Sequence, residues 1–505
     1  MEIPKVLNTI TKKMETLEVK DNTIKWYACG PTVYDSPHIG HARTYIVFDT
    51  MRRVLEEYFG FDVIYVMNMT DIDDKIINKG NEILKNEKSI DTLIENLKLT
   101  EEITKISETV NDNMKASIFA ARKYEKEFFD EMEKLNIKKP TFVTRVSEYI
   151  PQIIEYIEKI IENGFGYESN GSVYFDLKKY KKEHDLIFVK ENAINDEEQE
   201  NSEKKSVIDF ALWKKTKPNE LFFNSPWGEG RPGWHIECSA MASDIFPEGM
   251  DIHSGGVDLK FPHHENEIVQ ARAALKIKDW VKYFIHSGHL EINGRKMSKS
   301  LKNFITIPEI LKENSPRTVR LMFLLSPYDT TMIYHEEMIE MASSIEKKIF
   351  NFLSVCETMP DDFNGMGEID RELQAILEKS KKEIRQYFSE NFSFHKVLNT
   401  LSEVVTAYNR NIDSAKPRTI KVGGEYIKKI LSCLGLAAVN EQVSDENAGA
   451  IQLITDFRKD IRQLAIGKAA YPKFFDKCDE VREEVKKLGF LIEDKGKESN
   501  FRRII

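Results

Sequence analysis

The stretch from Thr23 to Met67 constrains the fold of this chain more than any other. Thr23 to Ala28 reads as a short buried strand and Cys29-Gly30-Pro31-Thr32 as a turn. Ser36-Pro37 reads as a helix N-cap followed by proline at the first helical position. From Gly40, the apolar residues Ile46, Val47, Met51, Val54, Leu55 and Tyr58 recur at helical spacing until Gly60 ends the run. Val63 to Met67 is then continuously apolar, the pattern of a parallel strand covered on both faces. Strand, turn, helix and strand make one βαβ unit, which predicts a Rossmann-type, doubly wound parallel α/β sheet.

Further along, Asn81 to Leu135 is charged and helical in character. Ser147 to Asn163 puts Ile150, Ile153, Ile154, Ile157 and Ile161 on one face, with Gly164 as a stop. Gly171 to Leu177 reads as a strand, and the polar stretch Tyr180 to Ser206 as a surface loop. The sheet resumes with a strand around Met250 to His253, then Gly255-Gly256 and a helix starting near Pro262. Phe284 to Met297 reads as a hairpin with Asn293-Gly294 as its turn. Helical patterns follow, including Ile339 to Phe352 and Glu368 to Tyr387, with a turn-like break at Lys421 to Glu425. The expected organisation is a sheet domain over 1–124 and 206–285, interrupted by an α+β insertion at 125–205. A loop-bearing region at 286–345, a helical bundle at 346–435 and a small module at 440–505 complete it.

A length of 505 residues suits three or four domains of ~150 residues each. No apolar run approaches the ~20 residues that would span a bilayer, so no membrane role is expected. Met1 to Lys20 is broken by Lys5, Lys12, Lys13, Glu15 and Glu18, unlike a signal or transit peptide. Five scattered cysteines make no disulfide framework and point to a reducing, cytoplasmic compartment. A net charge of −10 argues against a generic nucleic-acid coat but leaves room for a basic patch that follows one backbone.

Two short strings carry phosphate chemistry. His38-Ile39-Gly40-His41 sits where a strand feeds a helix N-terminus, with free N–H groups and the positive end of the helix dipole facing an anion. Gly40 permits close approach of a nucleotide, and His38 and His41 can donate to triphosphate oxygens. The plain alternative is a pair of capping or packed rings. Lys296-Met297-Ser298-Lys299-Ser300 follows the hairpin, and the ammonium groups of Lys296 and Lys299 suit the charge that grows on a leaving pyrophosphate. Read alone, this string is a solvated basic loop. Both strings, in this order and context, match the paired signatures of a nucleotidyl-transfer site holding ATP.

A third group suits a metal. Cys29 ends the first strand, Cys238 lies in Gly233-Trp234-His235-Ile236-Glu237-Cys238-Ser239, and His263 and Glu267 are one helical turn apart. Two thiolates, an imidazole and a carboxylate form a tetrahedral set for Zn²⁺. Their spacing is unlike a zinc finger, and buried free cysteines with a helix-start histidine are the alternative reading.

Several strings together resemble cysteinyl-tRNA synthetase, a class I aminoacyl-tRNA synthetase. They are Cys29–Tyr34, His38–His41, Thr70-Asp71-Ile72-Asp73-Asp74-Lys75, Gly233–Met241, Phe261–Glu267 and Lys296–Ser300, in the family's order over most of 20–310. The wording of Ser300–Thr306 resembles the eukaryotic-type members, and Leu488–Asp494 resembles the family's anticodon-binding tail. The resemblance implies one Zn²⁺ per chain on Cys29, Cys238, His263 and Glu267, with the substrate's thiolate as a further ligand. It implies ATP with Mg²⁺, bound by His38, Gly40, His41 and Lys296 to Ser300, and L-cysteine and tRNA(Cys) as the other substrates. Thr70 and Asp258 would orient the α-amino group of cysteine, and Trp234 and His253 would close around its side chain beside Cys29. Each has a structural alternative: strand-end cap, turn, core ring or packed imidazole. The helical bundle would brace tRNA, and Asp479 and Asp494 of the last module would read anticodon bases, a solvated helix face and a turn being the alternatives. Two rival functions remain at this stage: a ligase that joins activated cysteine to a small amine, and a catalytically silent tRNA-binding relative.

Overall fold

The computed structural model describes residues 3–86, 89–99, 111–186, 203–217, 220–292, 294–296, 304–360 and 365–437, with 458, 479, 481–483, 485–486, 490–495 and 498–503 beyond them. The chain forms two compact units, Met1–Glu336 with Phe388–Phe394, and Glu337–Tyr387 with His395–Ile505.

The first unit is built on a parallel sheet. Strand β1 (Thr23–Ala28) leads through a turn to helix α1 (Ile39–Arg53) and strand β2 (Asp62–Met69). Helix α2 (Asp112–Lys134) leads to the edge strand β3 (Phe142–Arg145), and helix α3 (Ile150–Glu162) leaves it. A four-stranded antiparallel sheet follows, β4 (Gly166–Ser169), β5 (Ser172–Phe175), β6 (Phe210–Lys215) and β7 (Gly230–Pro232). Helix α4 (Trp234–Ile245), strand β8 (Met250–Gly256), helix α5 (Glu265–Leu275) and strand β9 (Val281–Ser287) return the chain to the first sheet. Its spatial order is β9-β8-β1-β2-β3, all parallel. Chain order therefore reverses between β1 and β8, and an open α/β sheet binds ligands outside the strand ends at such a switch point. Beyond β9, strands β10 (Leu290–Ile292) and β11 (Arg295–Lys296) form a hairpin. Helix α6 (Pro316–Leu324) and strand β12 (Met332–Tyr334) follow, and β12 pairs with β10.

Helix α1 is buried on more than one face because it is covered from two sides. Phe48 meets Trp26 of β1 edge-on at 6.0 Å between ring centroids, and Asp49 takes Arg320 of α6 at 2.7 Å. Trp26 and Phe48 are fully buried, each contributing roughly 1.5–3 kcal/mol of transfer free energy. The Trp26 indole N–H donates to Ser254 Oγ at 2.8 Å and ties β1 to β8 across the switch point.

Four local expectations change. The N-cap of α1 is His38, two residues after Ser36, because the imidazole takes over the capping bond. The expected insertion over 125–205 cuts through the parallel sheet, since β3 lies within it; the antiparallel sheet runs instead from Gly166 to Pro232. Phe284 belongs to the parallel strand β9, so the hairpin begins at Leu290. The loop expected at Tyr180–Ser206 opens with helix as far as Glu183, and 187–202 lie outside the described residues.

The second unit holds helices α7 (Glu336–Thr358), α8 (Glu368–Ser389), α9 (Phe394–Arg410) and α10 (Pro417–Cys433), then the hairpin β13 (Phe490–Lys495) and β14 (Glu498–Arg503). The break expected at Lys421–Glu425 is absent: α10 runs straight through it. A Cβ on Gly423 would sit 2.2 Å from the Tyr408 ring, and one on Gly424 2.8 Å from Cys356 Sγ. The glycine pair permits close helix packing. Gly423→Ala should therefore lower the melting temperature of the full chain, overpacking by about 1–3 kcal/mol outweighing the gain in helix propensity. A melting temperature at or above that of the unsubstituted chain would contradict this packing.

Candidate active site and metal centre

His38 and His41 form a mutual cap at the start of α1. His38 Nδ1 accepts from Gly40 N at 3.1 Å and His41 Nδ1 accepts from His38 N at 3.4 Å, with the rings stacked 3.9 Å apart. With each Nδ1 lone pair engaged by a backbone N–H, the ring proton of a neutral imidazole belongs on Nε2. Burial, then the neighbouring His38, pulls His41 well below the usual imidazole range, so it stays neutral. The chain returns to this cap after the lysine string: Ile39 N donates to Ile305 O at 3.1 Å and Ile307 N to Pro37 O at 3.4 Å. Phe304 meets the His38 ring edge-on at 5.1 Å. Lys296 ends β11, while Met297, Ser298, Lys299 and Ser300 lie outside the described residues.

The proposed ligands converge at the switch point. Cys29 follows β1, Cys238 lies in α4, His263 in the turn before α5, and Glu267 in the first turn of α5. One ligand atom from each lies within 4.8 Å of all the others, and all four residues are buried. The two sulfurs are 3.9 Å apart, and His263 Nε2 is 3.0 Å from Glu267 Oε1. Gly30 makes the first approach possible, because a Cβ there would lie 1.7 Å from the carbonyl oxygen of Asn68 on β2.

The electrostatics suit a cation. A hydrogen bond from Cys29 brings Cys238 down to about 6, whereas burial and that same partner push Cys29 up; the two sulfurs share one proton. Burial would raise Glu267, but His253 and His263 outweigh it and hold the carboxyl at about 2. Burial would lower His263, but Glu267 and Cys238 outweigh it and raise the ring to about 10. Among the described residues Glu267 Oε1 is a buried atom that has His263 Nε2 3.0 Å away as a charge partner but no well-aligned hydrogen bond. A buried carboxylate oxygen in that state costs free energy that a bound cation would offset.

A second set overlaps the first: Cys29, His253, His264 and Glu267. His253 Nε2 lies 2.8 Å from Glu267 Oε2, the kind of bond that orients a ligating carboxylate. His264 Nε2 lies 3.4 Å from Cys29 Sγ, and its Nδ1 lies 2.8 Å from His286 Nε2, whose Nδ1 reaches Thr9 Oγ1 at 2.6 Å. This relay through His264 and His286 was not anticipated from the sequence. His264 and His235 are neighbours that could be mistaken for ligands, and only the matching position in the family's motif favours His263 over them.

The remaining expected pocket residues are placed as follows. Thr70 follows β2 and donates through Oγ1 to Glu237 Oε2 at 3.3 Å. Trp234 opens α4, is 40% exposed, and lies over the His263 ring at 4.3 Å. Asp258 is exposed in the short turn after β8. Glu237 was missed; burial, then Cys238, Asp73 and Asp71, raise its carboxyl well above the usual range beside Thr70. In the second unit the Asp494 side chain is 7% exposed and pairs with both Arg458 and Arg482, and Arg482 also holds the 64% exposed Asp479.

A doubly wound sheet whose first βα turn presents paired histidines, with a lysine-bearing arm bonded back to that turn, defines a class I tRNA synthetase. Residues 15–344 match the family model described as tRNA synthetases class I (C) catalytic domain. The solved methionyl-tRNA synthetase of Mycobacterium tuberculosis shares the fold with a TM-score of 0.57 at 16% identity, over 86% of this chain and 93% of that one. A curated cysteine–tRNA ligase of Encephalitozoon cuniculi is 44% identical, covering 99% of both chains. That of Pyrococcus abyssi is 38% identical over the same shares, and the cytoplasmic enzyme of Dictyostelium discoideum is 42% identical over 94% of this chain and 73% of its own. The chain belongs to the cysteine–tRNA ligase family. Among the described residues no helix is long and apolar enough to cross a membrane.

Proposed function

We propose that the chain joins L-cysteine to tRNA(Cys) at the expense of ATP. The cysteine carboxylate attacks the α-phosphorus of ATP and pyrophosphate leaves; the terminal ribose hydroxyl of the tRNA then attacks the cysteinyl carbonyl and AMP leaves. The observation that carries this reading is the convergence of Cys29, Cys238, His263 and Glu267 at the same switch point that presents His38 and His41.

Those four residues would hold Zn²⁺: thiolates at ~2.3 Å on one tetrahedral ion lie about 3.8 Å apart, and Cys29 and Cys238 already stand at 3.9 Å. Bound there, the ion supplies a soft Lewis acid that takes a substrate thiolate in preference to a hydroxyl. That distinction matters because a plain pocket separates cysteine from serine poorly. His253 fixes the Glu267 carboxylate and Trp234 covers the His263 side of the centre. Thr70, braced by Glu237, and Asp258 are assigned to the α-amino group. The Nε2–H groups of His38 and His41 donate to ATP phosphates accompanied by Mg²⁺, and Lys296 and Lys299 offset the charge that develops on pyrophosphate. The helices of the second unit are assigned to tRNA. Of the two anticodon candidates, Asp479 is the more open to a base. Relatives from Dictyostelium and Drosophila are named cytoplasmic, and the same compartment is proposed here.

Cysteine-dependent ATP–pyrophosphate exchange, charging of a tRNA(Cys) transcript and metal analysis of the purified chain test this reading together. The expected result is exchange, charging and about one zinc per chain, the stoichiometry of a single closed ligand set. Exchange without charging would favour a small-amine ligase, and a metal-free chain that still prefers cysteine to serine would overturn the zinc assignment.

A further inference from the structure

We propose that Arg43 is the positioning residue that holds the small sheet of β10, β11 and β12, whose strand β11 ends at Lys296, in register with His38 and His41 for adenylate formation, an inference that rests on the function proposed above. Arg43 lies on α1 three residues beyond Gly40 and is 1% exposed. Among the described residues its guanidinium donates to backbone carbonyls. Nη1 reaches Gly288 O at 2.7 Å and also His289 O, while Nη2 reaches Thr330 O at 2.6 Å and Pro327 O at 3.3 Å. Among the described residues its Nε has no hydrogen-bond partner, and the Asp329 carboxylate lies near enough to favour its charge.

The four carbonyls belong to two segments, one between β9 and β10 and the other between α6 and β12. Strand β10 pairs with both β11 and β12, so the guanidinium grips the root of the small sheet whose last strand ends at Lys296. Beyond the arm, residues 305 and 307 are bonded to 37 and 39 by backbone alone. Both ends of the arm thus take their position from α1, the helix that carries the phosphate-facing histidines. On the entry side, one neutral contact, Thr44 Oγ1 to Ser287 Oγ at 2.8 Å, is the other polar tie among the described residues of α1. A buried guanidinium is an expensive way to fill space even with the Asp329 carboxylate favouring its charge, and an apolar side chain would pack the same volume at lower free energy. Arginine's planar fork can hold two chain segments at a fixed separation, which a lysine ammonium cannot.

Adenylate formation needs both lysines placed against a phosphate already seated on the histidines, and a shift of about 1 Å in such an arrangement costs about 10²-fold in rate. Arg43→Ala should therefore lower kcat for cysteine-dependent pyrophosphate exchange by about that 10²-fold. The KM for cysteine, the zinc content and the transfer of cysteine from preformed cysteinyl-adenylate to tRNA should be unchanged. Arg43→Lys should fall between.

The deciding measurement is the double variant with Lys299→Ala. If Arg43 acts through the arm, Arg43→Ala adds no further loss once Lys299 is gone. Multiplied losses would overturn the proposal, as would a wild-type kcat in Arg43→Ala or a loss shared equally by exchange, cysteine KM and zinc content. Should Arg43→Ala fail to fold, Arg43→Lys and its double variant with Lys299→Ala give the same readout. Absence of exchange in the unsubstituted chain would instead sink the functional reading, so the two failures are distinguishable.

Discussion

Cys238→Ser should remove cysteine activation while leaving ATP binding nearly intact. The substitution exchanges sulfur for oxygen at a fully enclosed position, so sterics are close to neutral and the change is one of ligand chemistry. Cys238 sits 3.9 Å from Cys29 and is the thiol whose deprotonation the site favours, being brought down to about 6 by its bond from Cys29. A serine hydroxyl does not ionise in that range and binds a soft cation weakly. Losing an outer-shell partner of a metal ligand already costs about 10–100-fold, so losing the ligand should lower kcat/KM for cysteine by more than about 10²-fold. The nucleotide meets α1 and the lysine arm instead, and its affinity, measured by equilibrium dialysis in the absence of cysteine, should hold. Metal content should fall in parallel with cysteine activation. Equal losses in ATP and cysteine affinity would mean that Cys238 supports the fold and has no selective role.

Legibility from the sequence depended on whether a residue's role was set locally. Val63–Met67 was readable because a parallel strand buried on both faces needs a continuous apolar run, and no distant residue alters that demand. Phe142–Arg145 was not, since a four-residue edge strand ending in Thr144 and Arg145 carries no such run. Gly423-Gly424 misled because glycine pairs do break helices in isolation; here Tyr408 and Cys356, on other helices, need the missing side chains. At the site, donor chemistry grouped Cys29, Cys238, His263 and Glu267, but spacing alone could not separate a metal set from buried free cysteines beside a helix-start histidine, and the resemblance carried that step. Arg43 was invisible for the opposite reason: an arginine in the first turns of a helix reads as a solvent-facing residue, and its four carbonyl partners lie some 245 to 287 positions away.

The same helix carries the largest stability effect expected in the chain, at Asp49. This carboxylate, 1% exposed, accepts from Arg320 Nη2 at 2.7 Å, from Arg53 Nε at 2.8 Å and from the backbone N of Lys138 at 2.8 Å. Arg320 is equally buried and also donates to Thr50 Oγ1, Leu135 O and Asn136 O. One ion pair thus joins α1, α6 and the segment before β3. Asp49→Asn keeps the shape but leaves the Arg320 guanidinium enclosed without a counter-charge, which should cost about 3–5 kcal/mol in urea denaturation. Replacing both partners, as in Asp49→Asn with Arg320→Met, removes the charge as well as the pair and should cost less than the single change.

The pH dependence has a definite sign. Burial pushes Asp49 up, but Arg320, Arg53 and the Lys138 amide outweigh it, so its folded pKa lies below the usual value. A depressed carboxyl contributes stability that is fully present above its unfolded pKa of about 3.9 and is lost as pH falls through the folded pKa. The gap in stability between the unsubstituted chain and Asp49→Asn should therefore be constant near neutrality and close on acidification below about pH 4. A gap that widens on acidification, or a double variant less stable than the single one, would show that Asp49 holds α1 by something other than its charge.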